Sequence, residues 1–179
     1  GRHVQELCDA LYQEDIATII MEPDIHNHAC VRLTHHHVPH TPNLSFSMTY
    51  DKAALMDVLK SLAVSQLHMH HWVNYPASFL DFIRNIVSET GWHYDITLHD
   101  YYTVCPRINL VDKSGYYCGQ PEISVCERCV ETTPSHASGM PVWQWRGQFT
   151  SLMEQARHVF VPDDDMRTRL TPYIPKNAI

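Results

Sequence analysis

Hydrophobic positions along the chain fall into short blocks whose period switches between that of a helix and that of a strand. Val4, Leu7, Cys8 and Leu11 recur at helical spacing and predict an amphipathic helix over residues 3–13. Ile16 to Met21 is a continuous apolar, β-rich run stopped by Glu22-Pro23-Asp24, which predicts a buried strand. Residues 22–43, broken by Pro23, Pro39 and Pro42, read as loop with a short strand around Val31 to Leu33. Leu44, Phe46 and Met48 then alternate with Ser45, Ser47 and Thr49, the period of a strand with one wet face. Asp51 caps a predicted helix over 52–62 that carries Leu55, Val58, Leu59 and Leu62 on one side.

The same alternation follows. Gln66 to His71 reads as a strand, and Pro76 sits in the first turn of a helix predicted over 77–89, where its missing N–H costs nothing. Phe79, Phe82, Ile83 and Ile86 form its apolar stripe, Gly91 ends it, and Ile96 to Leu98 is the next strand. Residues 148–156 read as helix, 158–161 as strand, and Asp163 caps a last helix over 164–171. Strands and helices alternating at short intervals predict an α/β fold with a mostly parallel, doubly wound sheet. The stretch 100–145 is too long for an ordinary connection, so it is functional or has its own staple.

Sheets of that kind bind ligands outside the carboxyl ends of their strands. His99-Asp100, closing the strand Ile96 to Leu98, is therefore the first candidate site, with His70, His71 and Asn74 beyond the neighbouring strand as a second tier. His68 shares a strand face with His70 and reads as a core or edge residue. Trp72, Trp143 and Trp145 could stack on a sugar, although Trp is mostly core.

Composition narrows the field. Hydrophobic residues at 44% and charged ones at 18% describe a globular chain, and a net charge of -7 argues against nonspecific nucleic-acid binding. No apolar run is long enough to span a bilayer, so no transmembrane segment is expected. Cys105, Cys118, Cys126 and Cys129, spaced C-x12-C-x7-C-x2-C, offer four thiolates to a tetrahedral metal. Structural zinc is the leading reading, with reduced or disulfide-paired cysteines and an iron–sulfur cluster as alternatives. Reduced thiols point to the cytoplasm. Six histidines crowd residues 26–40 (His26, His28, His35, His36, His37 and His40), yet the stretch is a Pro-broken loop without the fixed geometry that imidazole ligands need. A loop facing a substrate cleft is the reading preferred there.

The run YDITLHDYYTVCPRINLVDKSGYYCG followed by CERC, with LHMHHW before it, resembles the amino-terminal domain of bacterial retaining glycosyltransferases of the GT-B fold, family 4 type. Gly1-Arg2-His3-Val4-Gln5-Glu6-Leu7 resembles the end of their glycine-rich loop and the first helix. The likeness is strong over 66–130 and weak over 15–50 and 130–145.

That resemblance implies a Rossmann-like acceptor-side domain, incomplete at its start, with the cysteine-rich insertion at 100–145. It implies a nucleotide-sugar donor and a polysaccharide or lipid-linked acceptor, and a location in the cytoplasm extending to the inner membrane face. His99, with Asp100 beside it, would serve the reaction, and Gly1 and Arg2 would mark the phosphate-facing loop, with His70, His71 and Asn74 as substrate candidates by position; Arg107 could reach a phosphate or acceptor carboxylate, or pair with a surface acid. The donor-binding carboxy-terminal domain, with its Glu-x7-Glu pair, would lie outside this chain, which alone would be inactive. Glu6/Glu14 and Glu14/Glu22 share that spacing by chance. The alternative is a zinc-stabilised interaction domain without transfer chemistry. A thiol redox protein on Cys126 and Cys129 is disfavoured, because no strand-to-helix turn of the thioredoxin kind precedes them.

Overall fold

The computed structural model describes residues 1–38, 44–76 and 78–174. Pro39, His40, Pro42 and the predicted helix start at residue 77 lie outside the described residues. The chain forms two compact units, Gly1–Ser65 with Asn74–Trp92, and Gln66–Val73 with His93–Ile179.

In the first unit, helix α1 (Arg2–Gln13) precedes three strands, β1 (Ile20–Pro23), β2 (Cys30–Thr34) and β3 (Leu44–Ser47). They pair in that order and antiparallel, with Glu22 opposite Arg32 and Val31 opposite Phe46. A mostly parallel sheet was the expectation; here the connections, residues 24–29 and 35–43, are too short for the crossover that parallel neighbours require. The strand predicted over Ile16 to Met21 also shifts forward: Ile16 is exposed, and β1 runs through Pro23. As an edge strand, β1 tolerates a proline that cannot donate to the ladder.

Helices α2 (Lys52–Ser61) and α3 (Phe79–Thr90) complete this unit. On α2, Leu55, Met56 and Leu59 are buried while the predicted Leu62 is exposed beyond the helix end. On α3 the predicted stripe holds in full, with Phe79, Phe82, Ile83 and Ile86 all buried. Each such burial is worth roughly 1.5–3 kcal/mol over exposure. Tyr75 stacks on Phe79 with ring centroids 4.2 Å apart and donates its hydroxyl to the Met21 carbonyl at 2.6 Å, tying α3 to β1. Gly91 ends α3 in the left-handed conformation, φ +69°.

The second unit holds the parallel arrangement that the alternation predicts. Strands β4 (Gln66–Met69), β5 (His93–Thr97) and β6 (His158–Phe160) pair in that order, Met69 opposite Ile96 and Ile96 opposite Val159. Central β5 buries Tyr94, Asp95, Ile96 and Thr97 in succession, as a strand covered on both faces must. Helix α5 (Val142–Gln155) packs on it: the Tyr94 hydroxyl donates to the Leu152 carbonyl at 2.6 Å. Trp145 donates Nε1–H to the Tyr102 carbonyl at 2.7 Å and, with Phe149, Tyr102 and Trp72, builds an aromatic core. Helix α6 (Asp164–Leu170) is capped as predicted, Asp163 Oδ1 accepting from the Met166 N–H at 2.7 Å. Helix α4 (Ile123–Thr132) lies within the stretch expected to be irregular.

Candidate functional site

The strand ends of β4 and β5 bring four predicted residues together in two pairs. His70 Nδ1 lies 3.2 Å from His99 Nε2, and the rings stack with centroids 5.5 Å apart. One nitrogen of such a contact must donate and the other accept, so the two rings share a single proton between them there. His68 stacks on His70 at 4.3 Å and meets Thr97 Oγ1 at 2.8 Å, extending the column back along the strand.

The second pair is His71 with Asp100, Nε2 to Oδ2 at 2.9 Å. The Val73 N–H donates to His71 Nδ1 at 3.1 Å, which makes that nitrogen the acceptor and leaves Nε2–H to donate to Asp100. Asp100 Oδ1 accepts from the Tyr102 N–H at 2.8 Å. Burial alone would raise the Asp100 pKa, but the hydrogen bonds from His71 and the Tyr102 backbone and the nearby His71 and His99 outweigh it, and the carboxyl is held below its ordinary range. Burial, helped by the Asp100 charge, pushes the Tyr102 phenol up to about 12. With both nitrogens engaged, His71 is a positioning residue for Asp100 and not a base.

Asn74, Gly1 and Arg2 belong to the first unit and Arg107 to the second. Asn74 is an exposed residue of the first unit at φ +68°. Gly1 sits at the helix start, its carbonyl accepting from the Val4 N–H at 3.1 Å, and the exposed Arg2 pairs with Glu6 at 2.7 Å. Arg107 is turned into the insertion, donating to the Val111 carbonyl and to Cys129 Sγ at 3.5 Å.

Cys126 and Cys129 lie one turn apart on α4, so they share a helix face and do not form an extended CxxC turn. Arg146 donates to Cys126 Sγ at 3.4 Å, so each of the two sulfurs has a guanidinium beside it. Burial pushes the Cys105 thiol up, with Cys118 and Cys126 near enough to add to the rise, while the backbone N–H groups of Arg107 and Leu110 oppose it. Among the described residues these sulfurs do not form a group of three within 4.8 Å.

A set of metal-ligating atoms that does converge is Asp9, His36 and His37, all within 4.8 Å of one another. The carboxylate comes from α1, far back in the chain from the histidine-rich loop. Of the tryptophans, Trp72 and Trp145 are core and only Trp143 is exposed.

Fold and side chains together define a mixed α/β protein with one antiparallel and one parallel three-stranded sheet. No family model, curated protein or solved structure matches the chain. Among the described residues no helix is long and apolar enough to cross a membrane.

Proposed function

We propose that this chain is the acceptor-side part of a retaining glycosyltransferase, Rossmann-like in its parallel unit, whose nucleotide-sugar donor is held by a partner domain. The observation that supports it is the pairing of His70 with His99 and of His71 with Asp100 where two parallel strands end. In this reading His99 hydrogen-bonds a sugar hydroxyl or the departing phosphate, and Asp100, locked by His71, fixes the backbone turn that presents it. Zinc closing Cys105, Cys118, Cys126 and Cys129 belongs to the same reading. Its support is the donor set itself, with Arg107 and Arg146 placed to offset thiolate charge. The test is donor consumption by the chain joined to its donor-side domain, scored by mass spectrometry against a panel of nucleotide sugars. Consumption of none of them would overturn the proposal.

A second reading, a metal-stabilised interaction domain without transfer chemistry, demands less beyond the described side chains. The convergence of Asp9, His36 and His37 favours it. Under this reading the assembled protein consumes no nucleotide sugar yet retains bound metal.

A further inference from the structure

We propose that Asp9, His36 and His37 form a binding site for a divalent first-row transition metal, zinc being the probe of choice. This goes beyond glycosyl transfer and does not depend on it. The three residues come from two places, Asp9 from the third turn of α1 and the two imidazoles from the turn that follows β2.

Distance argues for a metal. His36 Nε2 lies 3.2 Å and His37 Nε2 3.6 Å from the same oxygen, Asp9 Oδ1. Zinc bonds of 2.0–2.1 Å at tetrahedral angles set ligand atoms about 3.3 Å apart, between the two observed separations. A hydrogen bond accounts for the longer contact less well. The 3.6 Å contact of His37 is too long for one, and the other neighbour of that nitrogen, the Cys8 carbonyl, is also distant at 3.5 Å. The His37 nitrogen thus faces two oxygens and bonds neither well.

The imidazoles are also held in place. Tyr12, one turn after Asp9 on α1, stacks on the His37 ring with centroids 4.3 Å apart. The His37 N–H donates to His35 Nδ1 at 3.1 Å, which fixes the turn, and the His36 and His37 rings meet edge-on at 4.7 Å. Ring orientation set by such neighbours lowers the ordering cost of metal capture. Two imidazoles and one carboxylate suit zinc, copper or nickel better than calcium or magnesium, which prefer all-oxygen shells. Three protein ligands leave a fourth position for water, and the rings are about a quarter exposed, 26% and 25%, so an ion can enter.

The chain is rich in histidine and cysteine, so the test must resolve the site. Long-range 1H–15N imidazole spectra of the uniformly labelled chain, followed through a zinc titration, do so. The His36 and His37 Nε2 resonances should shift together and saturably while those of His26 and His28 stay in place. Asp9→Asn, an exposed substitution, should weaken the midpoint of that shift at least about tenfold. His36→Ala should do the same to the His37 shift, and the His26→Ala/His28→Ala control should leave both unchanged. The proposal is overturned if His36 and His37 do not respond, if all histidines respond together, or if Asp9→Asn leaves the midpoint where it was.

Discussion

His71 Nε2 stands 2.9 Å from Asp100 Oδ2, and the opposite ring nitrogen of His71 is held by the Val73 N–H. An imidazole with both nitrogens committed acts as a strut, and the carboxylate it holds is the one that caps the turn into the cysteine-rich insertion.

Asp100→Asn should therefore destabilise the protein by about 1–2 kcal/mol at pH 7, the size of a charge-assisted hydrogen bond lost from a half-buried site. The sign of its pH dependence follows from the depressed folded pKa. The stability contributed by Asp100 is complete above the unfolded carboxylate value, near 3.9, and is lost as pH falls through the lower folded value. Urea midpoints of wild type and variant should differ at pH 7 and converge as pH drops below about 4. Curves equally far apart at both ends would refute the strut.

Asp95 makes a denser set of bonds from the middle of β5. It is 5% exposed and accepts from Arg157 at 2.6 and 3.2 Å, His158 at 3.0 Å and Gln66 at 3.0 Å. Burial tends to raise its pKa, but Arg157 and His158 prevail and hold it below the ordinary range. Asp95→Asn is expected to cost about 2–3 kcal/mol in urea unfolding at pH 7, since three side chains lose a charged acceptor. A loss under about 0.5 kcal/mol would show that the network is incidental.

Gly91 offers a backbone test without side-chain complications. Its φ is +69°, and a Cβ added there would meet nothing within 4 Å. Gly91→Ala should cost about 1 kcal/mol through left-handed strain alone, read as a lower thermal midpoint.

The cysteines make a chemical prediction. If zinc closes the insertion, thiol modification of protein purified without chelator releases a metal equivalent in step with the loss of the four thiols. Less than about half an equivalent of any metal by elemental analysis would remove zinc from the account.

Legibility in the sequence tracked how local each determinant is. The stripe Phe79, Phe82, Ile83 and Ile86, the stop at Gly91 and the Asp163 cap are set by neighbours within a turn, and all were readable. The antiparallel order of β1, β2 and β3 is set by the shortness of their connections, which the alternation of elements does not report. Helix α4 is legible only in the helical spacing of Ile123, Cys126, Glu127 and Val130, a pattern that coincides with the CxxC pair and leaves none of its residues buried. Placement of His70, His71, His99 and Asp100 near strand ends followed from the pattern, but their pairing, and the role of Val73 in fixing a tautomer, depend on side-chain geometry. Asp9 beside His36 and His37 is a long-range encounter without a local signature.

The most direct test of the central claim is turnover by the chain joined to the donor-side domain that the proposal requires, wild type against His99→Ala, with thermal midpoints measured in parallel. The account predicts nucleotide-sugar-dependent transfer that falls at least about tenfold in the variant while the midpoint holds. Wild-type turnover in the variant, or no transfer by either protein, would contradict it.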